Sequence, residues 1–225
     1  MINKAMILAA GFGTRLQPLT DNLPKALIPF KKGTMISYQI EKLKSIGVKE
    51  IVINVHHFSE KIIKYFQEND FGIKLNIIVE KQILGTGGGV LNAKDYLQSE
   101  ESFLLINVDV YTNFNFDLLI KEYEIEKPFA LLAVQKRNTS RYLVFDDNFL
   151  LKGRAKSDKM EENHFAFNGI HIISNKIFSH SYKICYKDII DIYLEEKKII
   201  KGFNVGNSIF IDLGKVENLK NRNIK

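Results

Sequence analysis

The stretch LAAGFGTRLQPLTDNLPKAL, at residues 8–27, combines an apolar run with glycines, a threonine and two cations. Glycines after a strand let successive backbone N–H groups turn toward an anion, because no Cβ stands in the way. Gly11, Gly13 and the Thr14 hydroxyl can therefore wrap a polyphosphate. Arg15 can clamp the same anion with charge-assisted hydrogen bonds. A tight structural turn is the alternative that this pattern leaves open.

A lysine follows this loop at a position where the backbone is restricted. Lys25 lies between Pro24 and a short apolar run, and the fixed φ of a proline suits a residue that must point its ammonium at one place. A solvated surface lysine is the alternative interpretation. The loop lacks the third glycine of a dinucleotide fingerprint and the Gly-Lys-Ser/Thr of a Walker loop, so we predict an anion site of neither type.

Two aspartates that are far apart in sequence each end an apolar run typical of a strand. Asp109 ends FLLINVD, and Asp212 ends SIFID. Two carboxylates at the carboxyl ends of strands can hold one six-coordinate Mg²⁺ that also takes phosphate oxygens and water. Asp is also common in the turns that follow strands, so a structural role is the alternative.

Short runs rich in Ile and Val recur and are typical of strands that are buried on both faces of a sheet. These runs are AMILAA, EIVINVHH, KLNIIVE, SFLLINVD and FALLAVQ. Segments with helical spacing lie between them, namely MISYQIEKLKSIG, SEKIIKYFQEND and GTGGGVLNAKDYLQ, and we predict Ser59 and Thr86 as N-caps of the last two. The alternation predicts an α/β fold with a Rossmann-like, doubly wound, mainly parallel sheet and helices on both faces.

The pattern changes after about residue 135. RYLVFDDNFLLKGR predicts two short strands joined by an Asp-Asp-Asn turn, and HFAFNGIHIIS predicts another strand with Gly169 in its middle. We therefore expect a small antiparallel portion that extends the first sheet into a mixed one. No linker rich in Pro, Gly or Ser separates the two parts, so residues 1–225 are predicted to form one domain.

Charge and cysteine content narrow the class of protein. Lys and Arg number 32 against 26 Asp and Glu, which gives a formal net charge of +6. The lysines are scattered, so the excess fits an anionic small molecule, and we expect no nucleic-acid partner. The single Cys185 cannot form an internal disulfide and is expected to be structural. The apolar start is too short for a signal peptide or a membrane span, so we expect a cytoplasmic protein without a membrane partner.

The first loop resembles the signature of the sugar-1-phosphate nucleotidylyltransferases, or nucleotide-sugar pyrophosphorylases. The residues that match G-x-G-T-R-L-x-P-L-T-x-x-x-P-K are Gly11, Gly13, Thr14, Arg15, Leu16, Pro18, Leu19, Thr20, Pro24 and Lys25. The resemblance extends through LGTGGGVLNA, LLINVDV, FAFNGIHII and FIDLGKVENL, and so covers nearly the whole chain. It implies an enzyme in which a sugar 1-phosphate attacks the α-phosphorus of a nucleoside triphosphate and pyrophosphate leaves.

The resemblance also implies roles for particular residues. Arg15 and Lys25 would be the catalytic cations, and Asp109 and Asp212 would bind Mg²⁺. The nucleotide-binding residues would be Ala10, Gly11, Gly13, Thr14, Glu80 and Gly85. The sugar-binding residues would be Gly88, Asn168 and Gly169. Residues 1–135 would thus bind the nucleotide, and residues 136–225 would bind the sugar and supply the second metal ligand, in a monomer or a homodimer.

One functional residue of the family has no clear counterpart. The family's second lysine contacts the sugar phosphate. Lys152, Lys156 and Lys159 are the candidates here, but a solvated loop lysine is the preferred interpretation of each. The segment around the second aspartate also departs from the family, since Lys215 stands where many members have a threonine.

The base and the sugar stay open. Glu80 lies where many uridylyl and thymidylyl members carry a glutamine, and a carboxylate, which only accepts, matches the N1–H and N2–H₂ donors of guanine and favours GTP. Against this, LGTGGGV and NVDVYTNFNFDLL resemble the short uridylyltransferases that act on N-acetylmuramate 1-phosphate. Mannose and heptose 1-phosphate guanylyltransferases are similar to this chain in size and in the Glu-x-x-x-Leu-Gly-Thr pattern.

Two other classes of protein are considered. In a GT-A-like glycosyltransferase, Asn107-Val108-Asp109 would imitate an Asp-x-Asp motif, but the first loop would have no purpose. In a catalytically silent regulatory subunit that binds a nucleotide sugar, the charged site residues would not need to be kept together. The chain has all four of them, namely Arg15, Lys25, Asp109 and Asp212, which favours an enzyme.

Overall fold

The computed structural model describes residues 2–156, 159–179, 187–195 and 198–219. Cys185, for which a structural role is predicted, lies outside these residues. Within them, no helix has both the length and the apolar character that crossing a membrane requires.

The elements alternate along the chain as the sequence predicts. The strands are β1 (Lys4–Leu8), β2 (Pro29–Phe30), β3 (Gly33–Thr34), β4 (Glu50–Val55), β5 (Lys74–Val79), β6 (Ser102–Asn107), β7 (Val110–Thr112), β8 (Ala130–Gln135), β9 (Tyr142–Phe145), β10 (Leu151–Arg154), β11 (His164–Ser174), β12 (Ile200–Asn204) and β13 (Phe210–Asp212). The α-helices are α1 (Met35–Ser45), α2 (Ser59–Glu68), α3 (Gly85–Asn92), α4 (Lys94–Leu97), α5 (Phe116–Glu126), α6 (Ile189–Glu195) and α7 (Val216–Leu219). Each of the five apolar runs overlaps one strand, and each helical segment contains a helix.

In the described part of the chain, nine strands form one mixed sheet. β1 pairs in parallel with β4 and β6, and β4 pairs in parallel with β5. β11 runs antiparallel to β6, β8 and β9, and β12 pairs in parallel with β8. The predicted antiparallel addition is therefore present, and it joins the parallel strands through the pairing of β11 with β6.

Helices cover both faces of this sheet. Along β1, Ala5 and Ile7 belong to one apolar core, and Met6 belongs to the other. The first core includes side chains of α1, α2 and α5, and the second includes side chains of α3, α4 and α6. Because neighbouring residues of a strand point to opposite faces, the two sets of helices lie on opposite sides, as in a doubly wound fold.

The predictions of Ser59 and Thr86 as N-caps are wrong. Ser59 is the first residue of α2, because the chain turns at Phe58, which takes a left-handed conformation with φ 53°. Thr86 is the second residue of α3, and its hydroxyl accepts a 2.8 Å hydrogen bond from the Ile189 N–H at the start of α6. The Thr86 hydroxyl therefore joins α3 to α6 and does not cap the N-terminus of α3.

The long strand β11 changes its partner at a bulge around Gly169. It pairs with β9 before this point and with β6 after it. Its register with β8 shifts between Phe167 and His171, and Gly169 has φ 67°. Since only glycine takes a left-handed φ at little cost, this residue permits the bulge.

Candidate active site

The first loop closes around the stem of Lys25. Gly13 has φ 72°, and a Cβ on it would lie 2.9 Å from Thr20 Cγ2 and 3.0 Å from Lys25 Cβ. A side chain at position 13 would therefore be strained and would collide with the lysine stem. A Cβ on Gly11 would lie 3.9 Å from Lys25 Nζ, so the ammonium lies beside the glycines of the loop.

The Lys25 ammonium forms an ion pair with Asp109, which follows β6. Lys25 Nζ lies 2.8 Å from Asp109 Oδ2, and both side chains are largely buried. Burial alone would raise the pKa of the Asp109 carboxyl, but the charge and hydrogen bond of Lys25 outweigh burial and hold the pKa below its ordinary value. The loop, the lysine and one predicted metal ligand therefore meet at one point, and the Asp109 carboxyl is ionised there at neutral pH.

A second ion pair joins the loop to the far end of the chain. Arg15 Nη1 donates to Asp212 Oδ2 at 2.9 Å, across 197 positions of sequence. β13 pairs antiparallel with β7, and the Leu213 N–H donates to the Asp109 carbonyl at 2.8 Å. These backbone hydrogen bonds bring the two predicted acids together.

The two acids face one small space beside Gly214. A Cβ on Gly214 would lie 2.6 Å from Asp109 Oδ2, 2.8 Å from Asp212 Oδ1 and 2.8 Å from Arg15 Nη2. One small cation in this space could contact both carboxylates, so the donors suit a hard ion such as Mg²⁺. In the described ranges, no group of three or more His, Cys, Asp or Glu side chains could hold a metal ion. A cation beside Gly214 would therefore take its other ligands from water and substrate, as Mg²⁺ commonly does.

Gln39, which the sequence analysis did not single out, fixes the turn that carries Asp109. Its Nε2 donates to the Val108 carbonyl at 3.2 Å and to the Val110 carbonyl at 2.5 Å. These are the two residues that flank Asp109, and the Gln39 side chain is fully buried. One amide on α1 therefore holds the backbone on both sides of the carboxylate.

Glu80 lies at the end of β5 with its side chain buried. Its Oε1 accepts a 2.7 Å hydrogen bond from Asn54 Nδ2, and its Oε2 accepts a 3.0 Å hydrogen bond from the Leu84 N–H. Asn54 Oδ1 accepts in turn from the Ala9 N–H at 3.0 Å. This network ties the loop after β1 to the loop after β5, and both Glu80 oxygens have partners within the protein.

The predicted nucleotide and sugar contacts in the next loop differ in accessibility. Gly85 is exposed at the start of α3 with φ 72°, whereas Gly88 is buried inside the helix. The glycine between them serves packing, since a Cβ on Gly87 would lie 2.5 Å from Ile192 Cδ1 of α6. Ala10, in the first loop, is also buried. Of Ala10, Gly85 and Gly88, Gly85 is therefore the one that is open to a ligand from solvent.

The β11 bulge holds the other residues that are predicted to face the sugar. A Cβ on Gly169 would lie 2.7 Å from Asn107 Nδ2, so the bulge packs against the end of β6 just before Asp109. Asn168 is buried, and its Oδ1 accepts a 3.2 Å hydrogen bond from Arg137 Nε. The sequence analysis did not single out Arg137.

The lysines considered for the sugar phosphate lie elsewhere or are exposed. Lys152 Nζ lies 2.7 Å from Asp146 Oδ2 on the hairpin of β9 and β10. Lys156 and Lys159 are exposed. None of these positions, on the contacts described, joins the cluster beside Gly214.

The predicted residues thus fall into three groups. Those that the structure brings together at one point are Arg15, Lys25, Asp109 and Asp212, with the glycines of the first loop around them. Asn168 and Gly169 lie in the adjoining bulge. Glu80 and Gly88 are buried behind the loops that they shape or belong to.

Comparisons with known proteins identify the family of the chain. The family described as Nucleotidyl transferase matches residues 4–221. A protein of Oryza sativa subsp. japonica named probable mannose-1-phosphate guanylyltransferase 1 is 38% identical over 137 residues, which are 59% of this chain and 38% of that protein. A mannose-1-phosphate guanyltransferase of Yarrowia lipolytica is 33% identical over 173 residues, which are 75% of this chain and 47% of that protein. The matched segments therefore cover less than half the length of these relatives.

A solved structure has the same fold. The crystal structure of HddC from Yersinia pseudotuberculosis superposes with a TM-score of 0.82 at 23% sequence identity. The superposition covers 96% of this chain and 96% of that chain. The mixed sheet and its covering helices are therefore those of a known architecture.

Proposed function

Because the chain belongs to the nucleotidyl transferase family, we propose that it transfers a nucleoside monophosphate from a nucleoside triphosphate to a sugar 1-phosphate. A phosphate oxygen of the sugar 1-phosphate attacks the α-phosphorus, and pyrophosphate leaves. The observation that carries this proposal is the convergence of a glycine loop, two cations and two acids beside Gly214. The reaction needs positioning and charge neutralisation more than covalent help from a protein.

The residues of the loop have separate tasks in this reaction. Lys25 is the more buried cation, and we assign it to the α-phosphate, where its position is fixed by the surrounding loop. Arg15 is the more exposed cation, and we assign it to the β- and γ-phosphates. The backbone N–H groups around Gly11 and Gly13, together with the Thr14 hydroxyl, would hold the remaining phosphate oxygens.

Asp109 and Asp212 would hold a Mg²⁺ ion, which when bound supplies further neutralisation of phosphate charge. Both carboxylates border the same small space, which supports this assignment. Gln39 holds the backbone on each side of Asp109, and the Leu213 N–H holds its carbonyl. The chain thus presents the first carboxylate in a fixed position before any substrate arrives.

We favour GTP and mannose 1-phosphate as the substrates, because two relatives carry the name of a mannose-1-phosphate guanylyltransferase. Since Asn54 and Leu84 engage the Glu80 carboxylate, we assign Glu80 to shaping the base-binding loop. Asn168 and Gly169 would contact the sugar. GTP with heptose 1-phosphate and UTP with N-acetylmuramate 1-phosphate are the other pairs to test.

The two parts of the chain would divide this work within one domain. Residues 1–135 would bind the nucleotide, and residues 136–225 would bind the sugar and supply the second acid. A single sheet that contains strands of both parts supports the proposal of one domain. We place the enzyme in the cytoplasm, where nucleoside triphosphates are made, as a monomer or a homodimer.

Pyrophosphate release tests the proposal. Purified protein with Mg²⁺ is assayed with GTP, UTP, dTTP, CTP and ATP against mannose, heptose, glucose, N-acetylglucosamine and N-acetylmuramate 1-phosphates. We expect the rate of pyrophosphate release to be clearly highest for one pair of substrates. With that pair, the rate should fall at least about 100-fold in Lys25→Met.

Two outcomes would contradict the proposal. No release with any pair, while thermal shift still detects nucleotide binding, would favour the silent regulatory subunit. Transfer of a sugar from a nucleotide sugar to an acceptor would favour the glycosyltransferase.

A further inference from the structure

Arg137 lies just beyond the carboxyl end of β8, and three contacts hold its guanidinium in one orientation. Nε donates to Asn168 Oδ1 at 3.2 Å, and Nη2 donates to the Phe167 carbonyl at 2.8 Å. The guanidinium carbon also lies 4.0 Å from the centre of the Phe210 ring. A planar group that is stacked on one side and hydrogen-bonded along one edge presents its other edge in a defined direction.

The charge of Arg137 has no close counter-ion in the described part of the chain. Among the described residues, no carboxylate lies within 4.0 Å of the guanidinium, and three of its five N–H donors have no hydrogen-bond partner. Burial lowers the pKa of the guanidinium, and the charge of Asp212 opposes that change. A guanidinium nevertheless stays charged in proteins. A half-buried cation without a close counter-ion is costly, so its place is best explained by an anionic ligand.

The ring under Arg137 places that charge beside the cluster at Gly214. Phe210 and Asp212 are two residues apart on β13 and therefore point to the same face. That spacing separates them by about 7 Å along the strand. The guanidinium therefore lies on the face of β13 that carries Asp212, close enough for the two charges to interact, and it is hydrogen-bonded to Asn168.

The chemistry of the free edge fits a phosphate monoester. A guanidinium can donate two parallel hydrogen bonds to phosphate oxygens, which fixes both distance and orientation. The proposed function assigns Lys25 and Arg15, which pair with the two acids, to the triphosphate. Lys152, which was considered for the sugar phosphate, is paired with Asp146 on its own hairpin.

We propose, on the basis of the proposed function, that Arg137 binds the phosphate group of the sugar 1-phosphate. It would hold the attacking oxygen between Asn168 and the metal-binding acids. In this chain an arginine after β8 would thus do the work for which the family resemblance implies a lysine.

Steady-state kinetics on the most active substrate pair test this assignment. Arg137→Met should raise the KM for the sugar 1-phosphate about 10- to 100-fold, while the KM for the triphosphate stays within about twofold. Arg137→Lys should lie between wild type and Arg137→Met, because an ammonium keeps the charge but lacks the planar fork. Lys136→Met is the matched control, since the Lys136 ammonium donates to the carbonyls of Glu161 and Glu162, and it should keep both KM values.

A second readout separates contact with phosphate from support of the sugar pocket. Inorganic phosphate is used as a competitive inhibitor against the sugar 1-phosphate. Its inhibition constant should rise about 10-fold or more in Arg137→Met. If only the sugar 1-phosphate KM rises and phosphate inhibition is unchanged, Arg137 merely positions Asn168, and the assignment is overturned.

The two proposals fail in different ways. If wild type releases pyrophosphate but Arg137→Met keeps its KM for the sugar 1-phosphate, the assignment of Arg137 alone is wrong. If wild type releases no pyrophosphate with any pair, the proposed function is wrong, and this assignment falls with it.

Discussion

The two ion pairs of the site differ in how far they are exposed to water. The Lys25 and Asp109 side chains are 15% and 11% exposed, whereas those of Arg15 and Asp212 are 57% and 30% exposed. Gln39 and the Leu213 N–H hold the backbone around the buried pair. Arg15 extends from a short turn at the surface.

Because of this difference in exposure, we expect the two ion pairs to contribute differently to stability. Exposed pairs contribute little to stability, because water and salt screen them and their side chains stay mobile. A buried pair is costly to break, because one charge is left without a partner. We therefore expect the Lys25–Asp109 pair to serve both stability and catalysis, and the Arg15–Asp212 pair to serve catalysis alone.

Lys25→Met should have the largest effect, because it leaves the Asp109 carboxylate buried and unpaired. We expect kcat/KM for the triphosphate to fall about 1,000-fold and the free energy of unfolding to fall by about 3 kcal/mol. Kinetics and urea unfolding measure the two. A folded, fully stable and inactive variant would show that the pair serves catalysis only.

Arg15→Met should separate the two properties. We expect kcat/KM to fall about 10- to 100-fold, because charge-assisted hydrogen bonds to the leaving phosphates are lost. The free energy of unfolding should change by less than about 1 kcal/mol. A loss of stability as large as that of Lys25→Met would contradict the comparison.

Gln39→Met tests whether the buried pair depends on its support. The variant leaves the carbonyls of Val108 and Val110 without their donor, which should cost about 1–3 kcal/mol of stability. The Mg²⁺ concentration for half-maximal activity should rise several-fold, because Asp109 is less fixed, as outer contacts of a metal ligand typically matter 10-fold or more. Gln67→Met, on an exposed position of α2, is the matched control and should change neither. An unchanged Mg²⁺ dependence in Gln39→Met would mean that the turn at Asp109 keeps its position without the hydrogen bonds from Gln39.

We expect the loss of stability in mild acid to arise from His171, which packs against the second apolar core, and not from the Lys25–Asp109 pair. His171 lies among Phe167 and Tyr193 with neither ring nitrogen bonded to the described residues, and burial lowers its pKa to about 3. In the unfolded chain His171 takes up a proton near pH 6.5, whereas in the folded chain it stays neutral down to about pH 3. The free energy of unfolding therefore falls as the pH decreases below about 6.5. The loss should reach about 2 kcal/mol at pH 5.

The comparison of wild type with His171→Leu checks this origin. Urea unfolding between pH 7 and pH 5 should show a flatter dependence in the variant than in wild type. Equal slopes would place the acid sensitivity elsewhere, including the pairs at the site.

The sequence could predict the first loop and the strand ends because those features are local. Gly11 and Gly13 follow one strand, Asp109 follows another, and Asp212 ends a third. The carboxyl ends of parallel strands meet at one edge of a sheet, so Asp109, which follows β6, could be expected near the loop that follows β1. The pairing of Arg15 with Asp212 itself depends on β13 joining β7, which no spacing reveals.

Other residues could not be predicted because their roles depend on tertiary contacts. Gln39 lies among Ile36, Ile40 and Leu43 on the buried face of α1, and a polar residue there was the one available signal. Arg137 has no motif around it. The buried position of Glu80 depends on Asn54, which belongs to a different strand.

Transfer of the α-phosphate label tests the central claim most directly. GTP labelled at its α-phosphate is mixed with mannose 1-phosphate and Mg²⁺, and the same is done with the other nucleotides and sugar 1-phosphates. The account predicts that wild type moves the label into a nucleotide sugar with one pair, and that folded Asp109→Asn and Lys25→Met do so at least about 100-fold more slowly. Label transfer at the wild-type rate in either variant, or label released only as free nucleotide, would contradict it.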